Sequence, residues 1–274
     1  LIGDPEILPS IATLIRTGES EFPLQFGSHV VSLYDPELDQ VLDEAAYLIE
    51  HTRAERFEAI SCNVDADNLQ ALGRRCESMQ IPYEFSCNAQ NSVASLVHEA
   101  NRADVGVLIM PHEALGFLSR IGLGRSRTAS VMDLVHSPVL ISRKSIPYRR
   151  VLLVMADLPF PTRAAQLGID LVRILDAELT VGLVHQPELV VGGELKEQME
   201  KRYQDVENLA GMYHVQASVK RLEGNPITAI LDACKDYDLL VVPYRKGKRA
   251  FLTRPSVALN IIHRATCSVM VMPV

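Results

Sequence analysis

Along the second half of the chain the spacing of apolar residues changes in a regular order. An apolar run at 151–157 is followed by helical spacing at 161–175 and by strand-like alternation at 178–184. A long polar helix is predicted at 194–213 and a strand at 216–222. Gly224, Asn225 and Pro226 make a turn that opens a helix at 227–235, with Asn225 suited to cap it and Pro226 to its first position. A strand at 239–244, a basic loop, a helix at 256–264 and a strand at 268–272 complete the series. Short apolar strands separated by helices predict a parallel sheet covered on both faces, with right-handed crossovers.

The first half repeats this plan. Residues 1–4 match the end of the strand at 151–157, and 8–16 match the helix that follows it. The strand at 29–34 with Asp35-Pro36-Glu37 matches 183–185 with Gln186-Pro187-Glu188. Segments 91–101, 105–110, 128–135 and 139–142 then match the later elements in order. On this matching, residues 36–79 are an expansion in which two helical stretches flank an extra strand at 57–63. The expected fold is α/β, with two tandem Rossmann-like domains at 1–144 and 145–274, each a five-stranded parallel sheet between helices. Each half ends on an apolar strand, at 138–142 and 268–274. A bare edge of that kind invites association, so the two terminal strands are expected near a pseudo-two-fold interface between the halves. A homodimer stays open as well.

Composition narrows the function classes. Hydrophobic residues make up 47% of the 274 positions, which fits a folded globular chain. The apolar runs at 105–110 and 151–156 fall short of the roughly 18–20 residues that span a bilayer, so no membrane helix is expected within this chain. A net charge of −7 argues against general binding of nucleic acid, which asks for a clustered basic excess. Cys62, Cys76, Cys87, Cys234 and Cys267 are odd in number, widely spaced and without a C-x-x-C pair. They read as small buried hydrophobes in a reducing compartment, with a lone reactive thiol as the alternative. No export signal follows Leu1, so a cytoplasmic location is expected, and the missing Met suggests that something upstream was removed.

Leu222-Glu223-Gly224-Asn225-Pro226 through Ala229-Ile230, then Asp238-Leu239-Leu240-Val241-Val242 and Ala265-Thr266-Cys267-Ser268-Val269-Met270-Val271, resemble the universal stress protein family in tandem form. The resemblance covers nearly all of 150–274 and, more loosely, 1–144. It implies a site for ATP or AMP between a carboxylate after the first strand and a Gly-x-x-Gly-x9-Gly-Ser/Thr loop after the fourth. Glycine there lets backbone N–H groups close on phosphate at a helix N-terminus. Asp157 matches the carboxylate, with Thr162 and Ala165 in the pattern that follows, and Asp4 is its counterpart in the first half. Ser256 and Ser126 match the hydroxyl that opens the last helix. Neither glycine motif is intact. The second loop reads Pro243-Tyr244-Arg245-Lys246-Gly247-Lys248-Arg249, with Pro255 where the last glycine belongs, and proline removes a donor. The first loop reads His112-Glu113-Ala114-Leu115-Gly116, with Arg120, Gly122, Gly124 and Arg125 before Ser126.

Arg245, Lys246, Lys248, Arg249 and Arg254 place five cations on one short connection of an acidic chain. They read either as a solvated loop or as a grip on phosphate or an acidic partner. Asp4 and Asp157 read either as nucleotide contacts or as organisers of the turn after a strand. The histidines show no metal spacing, and no nucleophile-elbow sequence is present, so neither a metal site nor catalysis is expected. The leading reading is a non-enzymatic tandem stress-response or signalling module with degenerate or weak adenine-nucleotide binding and a protein surface as partner. The alternative is a cytosolic regulatory domain of a membrane transporter of cation or amino-acid type. Leu1-Ile2-Gly3-Asp4-Pro5 followed by Gly27-Ser28-His29-Val30-Val31 is loosely similar to the start of cation-chloride cotransporter tails. On that reading membrane contact comes only through the parent transporter. An enzyme of the wider adenine-nucleotide α-hydrolase-like group is a third reading.

Overall fold

A computed structural model of the chain describes residues 29–33, 39–52, 54–61, 66–87, 92–112, 127–143, 145–155, 162–185, 193–246 and 257–274. The first half contains β1 (His29–Leu33), α1 (Asp39–His51), β2 (Arg56–Ser61), α2 (Ala66–Ser78) and β3 (Tyr83–Cys87). It continues with α3 (Ser92–Ala100), β4 (Val105–Pro111), α4 (Arg127–Met132) and β5 (Val139–Ser142). The second half contains β6 (Arg150–Met155), α5 (Thr162–Leu175), β7 (Glu178–His185), α6 (Gly193–Met212) and β8 (Ala217–Glu223). It closes with α7 (Pro226–Ala233), a 3-10 turn at Cys234–Asp236, β9 (Leu239–Tyr244), α8 (Val257–Arg264) and β10 (Ser268–Pro273).

Local chemistry explains the boundary at α7. Asn225 Oδ1 accepts from the backbone N–H groups of Ile227 at 3.0 Å and Thr228 at 3.3 Å, which satisfies two donors that a helix start leaves free. Gly224, at φ +97°, supplies the left-handed turn before it. Burial explains the inner strands. β4, β5 and β10 are buried at every residue, as strands covered on both faces must be.

All ten strands belong to one sheet, in the order β3-β2-β1-β4-β5-β10-β9-β6-β7-β8. Only the central pair is antiparallel, with Ile141 opposite Val269, Leu140 opposite Met270 and Val139 opposite Val271. Each half therefore has the same local strand order, and a pseudo-two-fold axis passes beside Leu140 and Met270. On one face Val30, Val107, Leu140, Leu153, Val241 and Met270 pack with α1, α2, α5 and α6. On the other, Val31, Leu108, Ile141, Leu152, Leu240 and Val269 pack with α3, α4, α7 and α8. Equivalent helices of the two halves share a face, so the axis is normal to the sheet. The two terminal strands expected beside the interface form it by direct pairing, and two cores run through both halves.

The matching of the first half is corrected. β1 lies between β2 and β4, the place that β6 takes between β7 and β9, so residues 29–33 are the first strand of their unit and not the second. β2, expected as an extra strand, is the second strand, and β3 is the third. The segment 36–79 is therefore no expansion: α1 and α2 are the ordinary crossovers between those strands. Residues 1–28 lie outside the described residues. At the outer edges, β3 carries Glu84 paired with Arg56, and β8 carries Lys220 and Arg221 paired with Asp236 and Glu200. Charged edges of this kind resist further strand addition.

Candidate functional site

Open α/β sheets bind ligands outside the carboxyl ends of their strands, and the antiparallel seam sends those ends in opposite directions in the two halves. The chain thus has two candidate edges, one at each end of the sheet. At the second-half edge, the chain stays beside β10 beyond the end of β9 at Tyr244. The Lys246 N–H donates to the Val274 carbonyl at 3.0 Å, and the Val274 N–H donates to that of Tyr244 at 2.8 Å. This holds the first residues of the basic loop against the end of β10.

Two side chains of this edge reach across the seam. The Tyr244 hydroxyl donates to Asp133 Oδ1 at 2.8 Å, and the Lys246 ammonium lies 2.8 Å from His136 Nδ1. Both acceptors belong to the turn between α4 and β5 of the first half. Lys246 is held below the usual lysine range by burial and by the charge of Arg163, opposed by Asp133. Arg163 lies in the first turn of α5, and its charge acts on Lys246. The first-half edge shows the related contact: His112, just after β4, has Nε2 3.0 Å from the carbonyl oxygen of His263 in α8.

Among the sequence candidates, Arg245 and Lys246 fall within the described residues, and both are half-buried. Asp4, Gly116, Gly122, Gly124, Arg125, Ser126, Asp157, Gly247, Lys248, Arg249 and Ser256 lie outside them. The register nonetheless revises one correspondence. Val31 pairs with Leu108 and Leu152 with Leu240, and these pairs are two-fold mates through Val139 and Val269. Counting on from Val31 and Leu152 brings Asp35-Pro36 into line with Ala156-Asp157. On that count Pro36 falls level with Asp157 and Asp35 one place before it, both outside the described residues, and Asp4 does not hold that place. Sequence reading also passed over Arg163, Asp133 and His136. Arg163 carried a usable signal, because it follows Thr162 in the pattern after Asp157. Among the described residues no group of three or more His, Cys, Asp or Glu side chains is arranged to hold a metal ion, and no helix is long and apolar enough to cross a membrane.

The sequence profile of the universal stress protein family matches residues 147–273. Residues 147–273 are a universal stress protein family domain. No curated protein matches the chain. Among solved structures, a universal stress protein from Archaeoglobus fulgidus superposes with a TM-score of 0.66 at 16% identity, covering 92% of this chain and 99% of that one. A putative universal stress protein from Pseudomonas aeruginosa gives 0.64 at 15% identity, covering 92% and 95%. A functionally unknown protein from the same species gives 0.65 at 15% identity, covering 91% and 94%. At these identities the likeness is one of fold. It extends over both halves, whereas the universal stress protein profile marks the second.

Proposed function

We propose that the chain is a non-enzymatic signalling or stress-response module in which two universal stress protein units act as a dimer within one polypeptide, with weak adenine-nucleotide or other anion binding at its loop edges. One observation carries this reading: the β5–β10 seam uses up the apolar edge of each unit and leaves the helical faces and two opposed loop edges for partners and ligands. The second-half edge carries Arg245 and Lys246, and the charge of Arg163 acts on Lys246, which suits an anion. Lys246 is also engaged with His136, so part of that charge braces the seam.

The test is calorimetric titration of the whole chain with ATP and AMP at low and raised salt. Weak, salt-sensitive binding is expected, reduced by Gly124→Val with Ser126→Ala in the first half and little changed by Ser256→Ala. Tight binding abolished by Ser256→Ala would contradict the degenerate second loop. Hydrolysis of ATP by the purified chain would contradict the non-enzymatic reading.

A further inference from the structure

A single carboxylate is buried where the two halves join. Leu140 of β5 and Met270 of β10 lie on the face covered by α1, and side chains alternate along a strand, so Ser142 and Ser268 lie on that face as well. The pairing of Ile141 with Val269, continued by one place, sets Ser142 opposite Ser268. Cross-strand neighbours of this kind have Cβ atoms about 4.5–5.5 Å apart. Glu44 reaches the pair from α1, where its Oε1 accepts from Ser268 Oγ at 2.5 Å and from the Ser145 N–H at 3.2 Å. Tyr148 stands beside it: its ring meets that of Tyr47, one turn beyond Glu44 on α1, edge-on at 5.3 Å.

Part of this cluster is complete. Ser268 Oγ accepts from the Arg143 N–H at 2.9 Å and from Ser145 Oγ at 2.8 Å, and Ser145 Oγ accepts from the Ser268 N–H at 2.7 Å. That network fixes Oε1 and leaves three oxygens over. Glu44 Oε2, Ser142 Oγ and the Tyr148 hydroxyl have no hydrogen-bond partner among the described residues, and all three side chains are fully buried. Ser142 and Tyr148 are close enough to Glu44 to act on its carboxyl, yet neither bonds to it. Among the described residues no cation pairs with it either. A buried carboxylate without a countercharge is costly, and so are buried oxygens without partners. One positive ion among the three would offset both.

We propose that Glu44 Oε2, Ser142 Oγ and the Tyr148 hydroxyl bind one alkali-metal cation, sodium or potassium, at the seam between the two halves. The donor set selects that class. All three ligands are hard oxygens, which suit hard cations and not the thiol-seeking metals. They carry one negative charge between them, which a monovalent ion balances. A divalent ion would leave surplus charge in the core, and calcium asks for about six to eight oxygens. The ligands come from α1, from β5 and from the connection before β6, so the ion ties the first half to the start of the second.

The test unfolds the whole chain with urea in sodium, potassium and choline chloride at one ionic strength, choline being too large to enter. The midpoint is expected to be higher in the alkali cation that the site prefers than in choline. It should climb by an equal step for each tenfold rise in that cation above its dissociation constant. Proton and metal ion compete for Oε2, and burial favours the protonated carboxyl, so the difference should shrink as the pH is lowered. Glu44→Gln and Ser142→Ala should each shrink it as well. In crystals of the wild type, thallium(I) should give an anomalous peak beside Oε2. Equal wild-type midpoints in the three salts overturn the proposal without recourse to any variant, since a proton alone then neutralises Glu44. A difference that persists in full in both variants overturns it too.

Discussion

The Tyr244 hydroxyl donates to Asp133 Oδ1 at 2.8 Å from one unit to the other, and its two-fold mate is a histidine, His112, against the carbonyl oxygen of His263. A hydrogen bond to a charged group contributes about 1.5–3 kcal/mol, and this one is half-buried. Tyr244→Phe should therefore lower the free energy of unfolding in urea by about 2 kcal/mol. Combined with Asp133→Asn, the loss should be less than additive. Full additivity would mean that the bond contributes nothing.

Asp170 in α5 is buried, and neither carboxylate oxygen has a hydrogen-bond partner among the described residues. Burial raises its carboxyl to about 6, opposed by Arg173 with Nη2 at 3.6 Å from Oδ1. The folded state therefore binds this proton more tightly than the unfolded state. Its contribution is most favourable below the ordinary aspartate range and is lost as pH rises from about 4 to about 6. Asp170→Asn should stabilise the protein by about 3 kcal/mol near pH 8 and by almost nothing near pH 3.5. Urea midpoints at the two pH values give the comparison, and an equal effect at both would remove Asp170 as the source.

A second buried carboxylate marks the crossing between the units. Glu44 of α1 accepts from Ser268 Oγ at 2.5 Å and from the Ser145 N–H at 3.2 Å. Burial raises its carboxyl, and the bonds from Ser268 and the Ser145 N–H oppose the rise. Ser268→Ala takes away the strongest of those opposing contacts and should raise Glu44 further. Stability should then fall over a wider pH range above the ordinary glutamate value than in the wild type. Stability profiles against pH measure this, and superimposable profiles would show that Ser268 does not set the Glu44 proton.

In the middle of β7, a side chain at Gly182 would place its Cβ 3.1 Å from Leu152 Cδ1 and 3.3 Å from Leu222 Cδ1. Both neighbours belong to packed strands, β6 and β8. Gly182→Val should destabilise by about 1–3 kcal/mol through overpacking. Chemical denaturation reads the cost directly, and a stabilised variant would mean that the strands can separate there without penalty.

The seam was legible in the sequence because the apolar runs at 138–142 and 268–274 needed cover, and pairing them with each other supplies it. The place of β1 was not. Asp35-Pro36-Glu37 resembles Gln186-Pro187-Glu188 as a loop string, but the rank of a strand is fixed by its neighbours, and those are set by contacts distant in sequence. β3 showed its period of two, with Tyr83 and Phe85 alternating with Glu84 and Ser86. It lacked the continuous apolar run of an inner strand because it is an edge. The misplacement of Asp4 follows from the same error. At the basic loop the cations were visible, whereas the reach of Tyr244 and Lys246 to Asp133 and His136 joins residues more than 100 apart and leaves no local mark.

The antiparallel join has one more consequence. Two separate copies of one chain, arranged about a two-fold axis, must present the same residue on either side of it. Fusion removes that obligation, and here one position holds His112 on one side and Tyr244 on the other. Either end of the sheet can therefore be altered without altering the other, so a single polypeptide can change the contact at one end and keep the contact at the other.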